Sequence, residues 1–226
     1  MDLKDFFDLL YFYIGKERGA FITIEEMTNI VHEHQMALFM QYKPKYATSQ
    51  LVKDILSPFK NKYPFLPSDM IGGHIVLSPT LKKEDFLDIE IDVLNKGVPQ
   101  KWALPLVNED ERSYRLKSQI NPVTINSPIG EQEGLRMIKI YPLSTYSGTV
   151  SYLRLPVKPF YNYTVVGGRT IVYNALGSTQ LEWRETEVRE ILFKCLKTLG
   201  INLSDEQIQQ FAQVTTNDNA QGLNTV

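Results

Sequence analysis

The groups in this 226-residue chain that could do chemistry are three histidines, one cysteine and 26 acidic residues. His32 and His34 flank Glu33, but a two-residue offset on a helix turns one imidazole about 200° from the other. They cannot share a metal ion as an i, i+4 pair does. His74 follows Gly72-Gly73 and reads as a turn or surface histidine. The carboxylates come as Glu25-Glu26, as Glu109-Asp110-Glu111, and as Glu185 with Glu187. That spacing converges no pair on a sugar or phosphate, so these groups read as solvated charged faces. Gly167-Gly168-Arg169 lacks the Lys-Ser/Thr of a phosphate loop, and no helix opens behind it. Cys195 stands alone on an apolar helical stripe, which makes it buried filler and excludes an intrachain disulfide or a multi-cysteine zinc site. No catalytic, cofactor-binding or metal-ligating residue is assigned. The expectation is a protein that is not an enzyme and carries no cofactor.

Composition narrows the classes further. Lys plus Arg number 24 against 26 for Asp plus Glu, a net charge of −2. That balance gives no electrostatic footprint for gripping nucleic acid or an anionic membrane. The opening MDLKDFFDLLYFYIG is apolar but carries Asp2, Asp5 and Asp8 behind no basic leader, unlike a secretory signal. No apolar run has the length of a membrane span. With 43% hydrophobic and 22% charged residues, the chain is expected to fold around a real core.

The elements that would position these groups follow from hydrophobic period. Phe6, Phe7, Leu10 and Ile14 recur at helical spacing from Leu3, with Gly15 and Gly19 bracketing a stop. Thr23 and Glu26 form a capping box that opens a second helix through Met27, Ile30, Val31 and Leu38, ending at Tyr42 to Lys43 before Pro44. A third helix begins near Thr48 or Ser49, buries Leu51, Val52, Ile55 and Leu56, and stops at Pro58. β-prone runs follow at Ile75 to Leu77, Ile89 to Val93, Trp102 to Leu106, Val123 to Ile125, Leu135 to Tyr141, Gly148 to Leu155 and Arg169 to Tyr173. The polar stretch Asn108 to Ser118 reads as a surface helix.

These short strands imply a largely antiparallel sheet, because the stretch offers no crossover helices, and Gly167-Gly168 signals a two-residue hairpin after Tyr163 to Val166. Val188, Ile191, Leu192, Cys195 and Leu199 give a last clear helix stopped by Gly200, and a capping box from Ser204 to Gln207 leads to Ile208 and Phe211. The expected fold class is α+β: helices from both termini form a layer, with a central β-rich region. The expected parts are 1–62 (helical), 63–177 (β-rich), 178–214 (a helix pair joining the N-terminal helices) and 215–226 (a tail).

Trp102, Trp183, Tyr152, Tyr161, Tyr163 and Tyr173 concentrate aromatics with a polar edge in the β-rich part and its flank, as interfaces do. Several strings also resemble, in the same order over most of the chain, virion structural proteins of crAss-like and related tailed phages of Bacteroidota. They are GKERGAFITIEEM at Gly15 to Met27, SPF at Ser57 to Phe59, LPSDM at Leu66 to Met70, NPVTINSPI at Asn121 to Ile129, YLRLPVKPFYNYTV at Tyr152 to Val165, STQLEW at Ser178 to Trp183, and the LGINLSDEQIQQFA ending. Related chains often carry proline after the tryptophan, where Arg184 stands here.

The resemblance implies an adaptor-like ring protein of the neck or tail barrel, assembled in the host cytoplasm into the virion. Its partners would be other copies of itself in a dodecameric ring, together with portal or other ring proteins of the tail. DNA would pass through the lumen without sequence-specific contact, and no membrane would be involved. The expected contact residues are Tyr161, Tyr163, Leu181, Glu182, Trp183, Thr215 and Thr216. The alternative from another class is a receptor- or glycan-binding module at a tail tip. A hydrolase would need a convergent carboxylate pair or a histidine-based site that the spacing does not supply.

Overall fold

The structure is a computed structural model that describes residues 1–17, 22–78, 81, 83–95, 98–167 and 170–200. The fold is α+β. The chain forms two compact units, Met1–Leu38 with Val157–Val226, and Phe39–Pro156.

In the first unit, α1 (Leu3–Glu17) is started by Asp2, whose carboxylate accepts the Asp5 N–H at 2.8 Å. Its stripe of Leu3, Phe6, Phe7, Leu10 and Ile14 is fully buried, and it packs on α5 (Glu185–Thr198). Gly15 lies inside α1, not at its end, and Gly19 lies outside the described residues. The box at the start of α2 (Ile24–Tyr42) is complete: the Glu26 N–H donates to Thr23 Oγ1 at 3.2 Å, and the Thr23 N–H donates to the Glu26 carboxylate at 2.9 Å. α5 buries Val188, Ile191, Leu192, Cys195 and also Leu196, while Leu199 is only half-buried. Gly200 turns the chain at φ 72°, the left-handed stop that glycine supplies. The second C-terminal capping box, with Ile208 and Phe211, lies outside the described residues.

The second unit holds two sheets. α3 (Gln50–Ile55), capped by Ser49, buries Val52 and Ile55 on one side, and Leu56 is buried just beyond it. Leu51 is 67% exposed, a correction to the expected stripe: it stands one turn ahead of Ile55 at the start of the helix, and burial at Ile55 does not reach back over that first turn.

The first sheet is antiparallel in the order β1 (Lys60–Phe65), β9 (Ser147–Arg154), β4 (Lys83–Asn95), β5 (Val98–Ala103). The second has the order β2 (Met70–Ile71), β3 (His74–Val76), β8 (Met137–Tyr141), β7 (Ile129–Glu133), β6 (Leu106–Val107). One core joins them. Ile89, Ile91, Val93 and Val150 of the first sheet cluster with Ile75, Ile138 and Ile140 of the second, and with Leu77 beside β3.

Several strand expectations are corrected here. β1 and β7 are strands that polar, proline- and glycine-containing sequence concealed; they form because β9 and β8 supply their ladders. The run Trp102 to Leu106 breaks at Leu104-Pro105, leaving β5 on one sheet and β6 on the other. Thr124 makes only an isolated bridge with Ser127, so Val123 to Ile125 is no strand. β6 and β7 pair in parallel, joined through α4 (Glu109–Lys117), so the crossover helix thought missing is the polar helix itself. Asn108 caps α4 at the Glu111 N–H, and Arg112 fastens it to Glu131 of β7 at 2.6 Å.

The bounds of the units differ from the pattern changes read at 62 and 177. α3 falls in the same unit as the sheets. The hairpin of β10 (Tyr163–Val166) and β11 (Thr170–Tyr173) groups with the terminal helices.

Candidate interaction surface

The β10–β11 hairpin forms a two-stranded sheet with no further strand on either edge among the described residues. Its register pairs Tyr163 with Tyr173, Val165 with Ile171, and Val166 with Thr170. Three residues, 167–169, therefore join the strands instead of two; Gly168 and Arg169 lie outside the described residues. The two-residue Gly-Gly turn is at Gly72-Gly73, with φ 60° and 80°, where it joins β2 to β3.

Alternation places Tyr163, Tyr173, Val165 and Ile171 on one face of the hairpin. Val165 is 54% exposed, Ile171 49% and Tyr163 42%; the other face also leaves Val166 and Val172 exposed. A two-stranded ribbon bare on both faces is marginal by itself, so something must hold its foot. Tyr161 does so. Its ring stacks on Phe7 of α1 at 4.9 Å between centroids, and lies 4.7 Å from Tyr173 and 6.4 Å from Tyr163. The Gln180 amide ties the same foot down, donating to the Tyr173 hydroxyl at 2.7 Å and accepting the Leu3 N–H at 2.7 Å. Burial, then the nearby Asp8 carboxylate, raises the Tyr161 phenol above its ordinary pKa.

Beside the foot lies a slot of about 380 Å³. One side is the first turn of α2, with Ile24, Glu25 and Thr28; the other is Pro159 to Tyr161 with Tyr163. Phe160, 56% exposed, forms part of its wall. Lys158 reaches over the rim to Asn29 Oδ1 at 2.6 Å.

The expected contact residues divide. Tyr163 is exposed. Tyr161 and Trp183 are buried in their own unit's core, so they support a surface and do not present one. Leu181 is half-buried, and so is Glu182, whose carboxylate accepts the Val157 N–H at 3.3 Å. Thr215 and Thr216 lie outside the described residues. Sequence reasoning missed Val165, Ile171 and Phe160, although apolar residues on both sides of the Gly167 turn are a signal that could have marked the first two. Of the other aromatics, Tyr152 is buried and Trp102 is partly exposed.

The titratable groups are held in separate places. The His32 ring meets the Gln35 amide at 2.8 Å, whereas His34 meets the Thr198 hydroxyl at 2.8 Å, so the two imidazoles diverge. Burial, then the charge of Lys194, lowers the His34 pKa. His74 lies between the Ile71 carbonyl at 3.1 Å and Glu133 at 3.0 Å. Burial pushes the Cys195 thiol up to about 12, which removes it as a nucleophile at neutral pH. Among the described residues no group of three or more His, Cys, Asp or Glu is placed to hold a metal ion, and no helix is long and apolar enough to cross a membrane. No protein-family model matches this chain, and neither does any curated protein sequence.

Proposed function

We propose that this chain is a non-enzymatic structural subunit of a tailed-phage virion. It associates head to tail into a twelve-membered ring around the DNA channel of the connector or tail barrel, and stacks on portal or other ring proteins. The observation that carries the reading is the β10–β11 hairpin: an anchored ribbon with apolar residues bare on both faces and both edges open among the described residues. An apolar ribbon of this kind gains stability when a partner covers it, and open strand edges are ready-made pairing sites. A surface offered to an identical neighbour at a different patch generates rings when the rotation closes. The net charge of −2 suits a lumen that lets DNA pass.

Mass photometry and negative-stain images of the purified chain, alone and with the portal and ring proteins of the same virion, test the proposal. Rings are expected; monomers in every mixture refute it. A glycan- or receptor-binding module is the second reading, favoured by the exposed Phe160 at the slot wall, since an aromatic face stacks on sugar rings. It requires glycan-array binding by the isolated chain, which the ring reading does not.

A further inference from the structure

We infer that the slot at the hairpin foot, with the apolar hairpin face above it, receives the lysine-bearing edge strand β1 of a second copy. This rests on the self-association reading and names the two surfaces that meet.

The slot has the chemistry of a lysine receptor. Phe160 and Tyr163 supply exposed aromatic rings on one side, with the buried Tyr161 behind them, and Glu25 supplies a carboxylate on the other. An aliphatic stem packs along such rings while its ammonium meets the carboxylate and the negative ring faces. Glu25 makes no ion pair among the described residues, and the one cation at the rim, Lys158, is drawn away to Asn29.

Charge is divided between the units in the complementary sense. Met1–Leu38 with Val157–Val226 holds 9 Lys plus Arg against 14 Asp plus Glu, a net of −5. Phe39–Pro156 holds 15 against 12, a net of +3, and the two together give the 24 and 26 of the whole chain. A two-fold contact through the hairpin would set acidic unit on acidic unit. A head-to-tail contact sets it on the basic unit of the next copy, which electrostatics favours and ring closure needs.

Within the basic unit, β1 is the edge that fits. β2 and β6, the edges of the five-stranded sheet, are two residues long, and Lys101 on the edge strand β5 already pairs with Glu90 at 3.6 Å. β1 is six residues long, with Lys60 and Lys62 exposed on one face and neither in an ion pair among the described residues. Lysines on an edge repel a like edge. The same two lysines select an acidic, aromatic surface.

A charge exchange tests this. Glu25→Lys in one chain and Lys60→Glu with Lys62→Glu in another should each weaken self-association about tenfold or more by mass photometry at low salt. Thermal melts of each verify that it is folded. Mixed in equal amounts, the two chains should regain wild-type assembly by alternating, because each altered slot then meets an altered strand. Wild-type assembly by either variant alone, or a mixture that fails to recover, overturns the assignment. If the wild type assembles and these variants assemble equally well, only the assignment of surfaces falls. A wild type that stays monomeric with all its virion partners removes the ring reading as well.

Discussion

Removing the Tyr161 ring should uncouple the hairpin from the unit that carries it. Tyr161 is 8% exposed, stacks on Phe7 at 4.9 Å and lies 4.7 Å from Tyr173, so Tyr161→Ala deletes the centre of a three-ring cluster and leaves a cavity beside the fully buried Phe7. Large-to-small aromatic substitutions in such settings cost about 3–5 kcal/mol. With a urea dependence of about 2 kcal/mol/M for a unit of this size, the midpoint should fall by about 1.5–2.5 M. Tyr161→Phe keeps both ring contacts, and no hydrogen bond to its hydroxyl is present among the described residues, so it should stay within about 0.5 kcal/mol of wild type.

Trp183 is buried in the same unit and Trp102 belongs to the other, so fluorescence in a Trp102→Phe background follows the affected unit alone. Hydrogen exchange at Thr164–Val166 and Thr170–Val172 should accelerate in the alanine variant before global unfolding does. A midpoint shift below about 0.25 M for Tyr161→Ala, or equal damage from Tyr161→Phe, would refute the anchoring role of the stack.

Two further outcomes follow from local geometry. A Cβ at Gly148 would run into the Glu90 carbonyl oxygen and come within 2.9 Å of Ile91 Cα, both backbone atoms of the neighbouring strand. Gly148→Ala should therefore destabilise Phe39–Pro156 by about 3 kcal/mol or more; a melt identical to wild type would count against the β9–β4 register. The backbone and side-chain hydrogen bonds from Thr23 hold the Glu26 carboxyl below its ordinary pKa. Its contribution is then full above the unfolded carboxyl value of about 4.5 and is lost as pH falls through the lower folded value. A titration of stability from pH 7 to pH 3 should show Glu26→Gln lacking that acid-side decline, and an unchanged slope would exclude the box as its source.

Local chemistry made the helices legible. The α1 and α5 stripes and the Thr23–Glu26 box are settled within a few residues of chain, because period and capping need only sequence neighbours. The alternation of Ile89, Ile91 and Val93 likewise fixed which side of β4 faces the core.

Tertiary structure decided whatever depended on a distant partner. Lys60–Phe65 carries a poor strand sequence and becomes a strand because β9 lies alongside it, and the charged helix α4 becomes a crossover because β6 finds β7 in parallel. The aromatic residues were sorted in the same way. Composition alone made Tyr161, Tyr163 and Trp183 equivalent, but the α1 surface takes Tyr161 against Phe7 and leaves Tyr163 at the slot. The sequence by itself determined that apolar side chains would flank the Gly167 turn. Only the packing of the hairpin foot decided that Val165 and Ile171 remain uncovered, because burial is set by what else the chain brings to that place.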